Sequence, residues 1–290
     1  MARGGTAQGK PATESVSAEE VHRSARREGV LVPTPSTPVR LLSQSPLILK
    51  CTDFLSHSAC DALTATAGRS RFLAKSEIGG SNAGGVQRTS STLSIGQRAL
   101  AEHTLLHNPL NELLESIQSL FHQHSIDGSP RYGFKPPRSD GTLAFEMPQV
   151  ARYREGELFG QHEDGFPSHI ARKKGYNRLC TVLVYLNNSD PSSGEPSDLR
   201  AATTFDEHGI ISRPHKGTAL IFFPSFLSGA PDTPRTRHTA QPAGPTEKWV
   251  SQVWLSANCF GSDARKPLSK QTDDFGAKSA KAKRGFGQTK

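Results

Sequence analysis

The chain has 290 residues, enough for one large domain or two small ones, and its hydrophobic fraction of 34% is low for a chain packed throughout, so part of it is expected to lie outside the core. There is no run of 18 apolar residues that could form a membrane span, and "MARGGTAQGKPATESVSAEE" lacks the apolar stretch of a secretory signal. The net charge of +8 is concentrated in the ends: residues 261–290 carry eight Lys/Arg against three Asp, and residues 1–40 carry six against four Glu. The middle is close to neutral, which argues against a broad basic nucleic-acid groove.

Residues 1–42 are rich in Ser, Thr, Pro, Gly and charge and are expected to be disordered. Arg23, Arg26 and Arg27 would suit a transit peptide, but Glu14, Glu19, Glu20 and Glu28 would not. With no export signal evident, the cytoplasm or nucleus is the expected compartment. The scattered Cys51, Cys60, Cys180 and Cys259 form no C-x-x-C pair and are expected to be reduced thiols.

An ordered region is expected over residues 43–261. Leu47–Cys51 reads as a strand, and Ser56 as the cap of a helix from His57 to about Ala67 that ends at Gly68. "SEIGGSNAGGVQRTSS" reads as a glycine-rich loop. Asn108-Pro109 looks like a cap with proline at the first helical position, and Leu110, Leu113, Leu114, Ile117, Leu120 and Phe121 then mark one helix face. His122 and His124, at the end of that helix, read as exposed histidines favoured by its dipole. After Pro136-Pro137, short β-type runs take over: "QVARY", "LCTVLVYL", "GIISR", "GTALIFF" and "KWVSQVWL". "LCTVLVYL" suits a strand buried on both faces; "KWVSQVWL" alternates, and both its tryptophans read as core residues. Strands following helices predict an α+β chain, a β-sandwich or jelly roll with helices packed on one side. "KSAKAKRGFGQTK" belongs to a basic disordered tail, residues 262–290.

"FGQHEDGF" holds the one H-x-D of the chain. Strand alternation puts His162 and Asp164 on one side and Glu163 on the other. With a histidine from a later strand, the pair would complete a two-His-one-carboxylate facial triad, which holds Fe(II) and leaves three positions open. The candidates are His169, His208, His215 and His238. His238 is favoured because it precedes the last strong strand, whose first residue, Lys248, could carry a buried cation beside the metal; such a cation needs an anionic partner. His208 and His215 flank polar turns and read as surface residues.

Taken in order, "EMPQVARYREGELFGQHED", "TVLVYLNN", "GE" followed by "TTF", "HKGTALIFF" and "RHTAQP…KWVSQVWL", with "QRTSS" upstream, resemble the catalytic domain of prolyl 4-hydroxylases, within the 2-oxoglutarate- and Fe(II)-dependent dioxygenases. The resemblance runs from about Pro46 to Phe260 and implies a double-stranded β-helix. It implies His162, Asp164 and His238 as iron ligands and Lys248 as the partner of the distal 2-oxoglutarate carboxylate. Tyr153 and Thr203 would line the co-substrate pocket, and Arg88 would shape a peptide groove. Glu195 and Thr203 are separated by about six more residues than in the family pattern, so a reshaped loop over 190–202 is expected at the mouth of the site. The implied reaction hydroxylates a C–H bond, most simply of a peptidyl proline, with O2 consumed and succinate and CO2 released; ascorbate would serve as an auxiliary reductant. A protein or peptide substrate is the expected partner, with no membrane, and nucleic acid only through the basic tail. Alternatives are a hydroxylase of the same fold acting on another side chain or a small molecule and, further off, a non-catalytic jelly-roll binding module. A zinc hydrolase would use similar ligands but gives Lys248 no task.

Overall fold

The computed structural model describes residues 15–35, 39–77, 86–128, 134–189, 198–232 and 234–260. The helices are α1 (Ala18–Glu28), α2 (His57–Arg69), α3 (Gln97–Glu102), α4 (His107–Leu120) and α5 (Ser168–Lys174). The strands are β1 (Ser15–Val16), β2 (Val39–Gln44), β3 (Leu47–Cys51), β4 (Ala74–Lys75), β5 (Ser91–Ser94), β6 (Ile126–Asp127), β7 (Leu143–Phe145), β8 (Gln149–Tyr153), β9 (Phe159–His162), β10 (Asn177–Tyr185), β11 (Thr203–Phe205), β12 (Ile210–Ser212), β13 (Ala219–Phe222), β14 (His238–Ala240) and β15 (Lys248–Ala257). The larger sheet runs β1-β2-β3-β13-β10-β15-β8-β5-β4, with β7 on the far half of β15 and β6 beside it; the smaller runs β12-β11-β14-β9. Together they form a jelly roll that is not closed into a barrel.

Side-chain alternation on the long central strands separates two cores. Val182 and Val184 of β10, with Trp249 and Val253 of β15, join the core under α1, α2 and α4. Leu183 and Tyr185 of β10 and Val250 of β15 point the other way and meet Phe159, Phe205 and Ala240 of the smaller sheet. A strand with a core on each face has to be apolar nearly throughout, which is why "LCTVLVYL" reads as it does. Each fully buried Leu, Ile, Val or Phe here contributes roughly 1.5–3 kcal/mol relative to exposure. The four cysteines are free; burial pushes the Cys51 thiol up to about 12 and the Cys60 thiol up to about 11, so both remain protonated and inert.

Three expectations need correction. The first concerns residues 1–42, expected to be disordered: residues 15–35 and 39–42 are described, and they contain β1, α1 and the start of β2. A Ser/Pro-rich composition hid a capped amphipathic helix. Ser17 Oγ accepts from the Glu20 N–H, Glu19 and Glu20 occupy the first turn and Arg26 and Arg27 the last, and Gly29 closes the helix at φ 68°. Val21 and Ala25, four residues apart, are fully buried. The second concerns Gly68, which does not end α2: the helix continues to Arg69, and a Cβ at Gly68 would lie 3.6 Å from the Trp249 ring. The third concerns Asn108, which does not cap α4. That helix starts at His107 and continues directly from a 3-10 turn over Thr104–Leu106, leaving Pro109 in the first turn, where a missing N–H costs nothing. Ser56 does cap α2, accepting from the Ala59 N–H. The 262–290 tail, residues 78–85 of the glycine-rich loop and residues 190–197 of the insertion lie outside the described residues.

Candidate metal centre

β9 ends at His162, and β14 begins at His238 directly opposite it in register. The chain turns after Asp164 at Gly165, where a Cβ would stand 2.7 Å from the Pro224 carbonyl oxygen; glycine is needed there for a close backbone approach. His162, Asp164 and His238 are 4%, 5% and 2% exposed, and one ligand atom from each lies within 4.8 Å of the others. Among the described residues, no other group of three such side chains converges in this way. His162 Nε2 is 3.7 Å from Asp164 Oδ1, and His238 Nε2 is 4.0 Å from Asp164 Oδ2.

Supporting contacts orient these atoms. His162 Nδ1 donates to the Gly160 carbonyl (2.8 Å) and His238 Nδ1 to the Thr236 carbonyl (3.0 Å), a tautomer assignment that leaves both Nε2 lone pairs facing Asp164. Phe159 stacks on the His162 ring at 3.5 Å, and Phe222 and Phe205 flank His238. Asp164 Oδ2 accepts from Thr181 Oγ1 (2.8 Å) and Gln252 Nε2 (3.2 Å), which leaves Oδ1 to face inward. Burial, and then the neighbouring His238, push His162 down to about 3, so its ring is neutral. Burial works against ionisation of Asp164, but His238, His162 and Arg178 outweigh it and hold the carboxyl below its ordinary value. Two imidazoles and one carboxylate, buried and ringed by aromatics, are the donor set suited to a facial Fe(II) site. Glu163 turns away to pair with Arg237 at 2.8 Å.

Lys248 opens β15 and lies on the same face as Gln252, which reaches Asp164. It is 2% exposed. Its Nζ lies 3.4 Å from both the Ala202 carbonyl and Thr203 Oγ1, between the rings of Tyr153 and Tyr185. Among the described residues no carboxylate pairs with it, and burial pushes the amine down to about 7. Tyr153 lies opposite Lys248 across β8 and β15, is fully buried, and has its hydroxyl beside Ser90 and Arg88. Arg88 lies over the Phe159 ring at 4.5 Å and donates to Ser90 Oγ and Thr92 Oγ1. The structure therefore brings His162, Asp164, His238, Lys248, Tyr153, Thr203 and Arg88 around one inter-sheet space. It places His169 on exposed α5, His208 in a 3-10 turn and His215 on an exposed turn, away from the cluster.

Other residues at the site were not anticipated from sequence. The Tyr185 hydroxyl donates toward Ser212 at the foot of the Lys248 pocket; a tyrosine closing the apolar run over residues 182–184 was the available signal. Half-buried Arg178 makes a two-pronged bond to Glu146 (2.8 Å each), donates to the Asp164 carbonyl at 3.3 Å, and stacks on Trp254 at 3.8 Å. Trp249 is a core residue as expected, but Trp254 is not simply one. It lines a cavity of about 480 Å3 that also exposes His162, Asp164, Phe166, Tyr176 and Arg178. Its position on the Val250–Gln252 face of the strand was legible; that this face opens on a cavity was not.

A second chain of contacts runs from the metal cluster to α1. Thr236, whose carbonyl orients His238, is held by the Asp232 carbonyl; Asp232 is gripped by Arg235, and Arg235 by Glu28 at 2.9 Å. Glu28→Ala is therefore expected to weaken Co(II) affinity by roughly threefold to tenfold, less than loss of a direct ligand partner would. Metal titration monitored by the Co(II) visible spectrum checks this, and an unchanged affinity would detach α1 from the site.

Residues 148–256 match the profile of the 2OG-Fe(II) oxygenase superfamily. Prolyl 4-hydroxylase 1 of Arabidopsis thaliana is 28% identical over 225 residues, covering 74% of this chain and 70% of that protein. Prolyl 4-hydroxylase subunit alpha-1 of Homo sapiens is 37% identical over 137 residues, 45% of this chain and 23% of that protein. Probable prolyl 4-hydroxylase 6 of Arabidopsis thaliana is 30% identical over 126 residues, 40% of this chain and 43% of that protein, so the chain spans less than half of that relative. Among solved structures, a viral collagen prolyl hydroxylase from Paramecium Bursaria Chlorella virus-1, in its 2OG complex, superposes with a TM-score of 0.50 at 24% identity, over 72% of this chain and 96% of that one. That likeness supports the jelly-roll fold.

Proposed function

We propose, from the premise that residues 148–256 belong to the 2OG-Fe(II) oxygenase superfamily and have prolyl 4-hydroxylases as sequence relatives, that this chain is an Fe(II)- and 2-oxoglutarate-dependent dioxygenase acting on peptidyl proline. The observation that carries this reading is a buried lysine with no acidic partner among the described residues, set on the same strand face as a residue that touches the buried His-Asp-His cluster. A buried cation of this kind calls for an anion, and a dicarboxylate that chelates metal at its other end supplies one.

In this reading His162, Asp164 and His238 hold Fe(II), which with 2-oxoglutarate and O2 supplies the oxidising power for C–H hydroxylation. Lys248 pairs with the distal carboxylate of 2-oxoglutarate, while Thr203 and Tyr153 present hydroxyls along its path. Phe159, Phe205 and Phe222 pack against the two imidazoles and cover their faces. Thr181 and Gln252 fix the Asp164 carboxylate so that one oxygen faces the metal. Arg88 and the Arg178–Trp254 stack shape the wall where substrate enters. The balanced reaction consumes substrate, 2-oxoglutarate and O2 and yields hydroxylated substrate, succinate and CO2.

The test incubates full-length protein with Fe(II), 2-oxoglutarate and proline-containing peptides. It follows succinate release and locates a mass gain of one oxygen by fragmentation. The expected gain falls on proline, with succinate formed in step. Oxygen on another side chain would move the chain to a different hydroxylase class, and peptide binding without succinate would make it a binding module.

A further inference from the structure

The metal cavity does not end at Arg88. A second cavity, of about 610 Å3, shares Glu77, Arg88, Met147 and Gln149 with it, so the two lie side by side along these residues. The outer part runs along β4 and β5, at the end of the larger sheet, and past the start of α3. Its apolar lining includes Phe72, Ala74, Ala99 and Met147. Its charged side chains are Lys75, Arg88 and Arg98 against Glu77 alone. Arg88 is held by the hydroxyls of Ser90 and Thr92 and the Glu77 carbonyl rather than by a carboxylate. Among the described residues, neither Lys75 nor Arg98 has an acidic side chain within ion-pair distance. The half-buried arginines at the inner end and around the cluster differ: Arg178, Arg235 and Arg237 are each paired to an acid. Among the described residues, the outer groove therefore keeps an excess of positive charge.

We propose that this outer groove binds an acidic segment flanking the hydroxylated residue of a peptide substrate, with Lys75 and Arg98 setting the preference. This rests on the hydroxylase reading for the position of the target residue. An extended peptide with its target at the cluster leaves past Arg88 and enters the outer groove, gaining about 3.3 Å of reach per residue. The unpaired cations then face its flank. Exposed ion pairs of this kind are individually weak, so the preference shows in binding and is screened by salt.

The experiment compares three peptides with one proline each, flanked on both sides by Glu, Gln or Lys. The wild type is expected to give KM values rising in the order Glu, Gln, Lys, about fivefold to tenfold overall, with kcat within about twofold. The spread should shrink at about 1 M salt, where the screening length is about 3 Å. The Lys75→Glu/Arg98→Glu double variant is expected to reverse the order while leaving kcat on the Gln peptide unchanged. Equal KM values for all three peptides in the wild type, or an unreversed order in the variant, would overturn the proposal. So would a single-stranded oligonucleotide that displaces the acidic peptide at lower concentration than unlabelled acidic peptide does. Fluorescence anisotropy with the His162→Ala protein separates the two readings. Charge-selective binding with no oxygen gain in the wild type would remove the hydroxylase and keep the groove; oxygen gain without charge selectivity would do the reverse.

Discussion

His238→Ala is expected to abolish metal-dependent turnover and lower Fe(II) affinity by at least about 10²-fold, because a facial site has three protein ligands and loses one outright. The fold should survive. His238 is the first residue of a short strand, and the sheets around it rest on β10 and β15, whose cores do not depend on the imidazole. A cavity is left beside Phe205 and Phe222, costing about 2–4 kcal/mol, so circular dichroism and Tm are read alongside activity. Glu163→Gln is the control. That acid sits in the same octapeptide, one residue from each of two ligands, but turns outward to Arg237, so its loss should leave metal affinity within about twofold. Anaerobic titration with Fe(II) or Co(II) and succinate release measure both variants. If His238→Ala binds metal as the wild type does, the centre lies elsewhere; if Glu163→Gln loses metal, the strand register at β9 is wrong.

Much of this site could be read from sequence because local periodicity carries it. A two-residue spacing in an extended segment puts His162 and Asp164 on one side whatever the tertiary structure. The central strands were legible for the same reason: β10 is apolar on both faces, and β15 alternates between two cores. Contacts that depend on distant packing were not. Glu146 and Arg178 look like ordinary charged residues in sequence and become a half-buried pair only because β7 and β10 both flank β15. Trp254 read as core because a tryptophan in a strand says nothing about whether its face meets another sheet or a cavity. The miss in α1 differs in kind. Ser17, Glu20, Val21 and Ala25 carried a complete helix signal, and averaging composition over residues 1–42 erased it.

Lys248→Met is expected to separate function from stability more sharply than any other single change: a roughly 10²–10³-fold loss in 2-oxoglutarate affinity together with a more stable protein. The loss follows because a dicarboxylate docked against Thr203 and Tyr153 would have one charged end buried without a partner, a cost of about 3–5 kcal/mol. The gain follows because, without the co-substrate, Lys248 is itself a buried charge with no acidic partner among the described residues. Its folded value, lowered to about 7, lies below that of an unfolded lysine, so folding disfavours the protonated form. The resulting penalty is full below about pH 7 and is relieved as pH rises toward the unfolded value near 10.4. Methionine fills the stem's volume without the charge, so the variant's Tm should exceed that of the ligand-free wild type by several degrees at pH 6, and the difference should narrow steadily above about pH 7 and close near the unfolded value of about 10.4. The same shift dictates how 2-oxoglutarate binds the wild type. Above about pH 7 the free amine is neutral and has to take up a proton to meet the carboxylate. Calorimetry in buffers of different ionisation enthalpy should therefore show proton uptake at pH 8 and almost none at pH 6, with apparent affinity weakening as pH rises. A Lys248→Met protein that melts below the wild type at pH 6, or binding at pH 8 with no proton uptake, would mean that the amine already has a partner and that the pocket beside Thr203 is not where the co-substrate's far carboxylate sits.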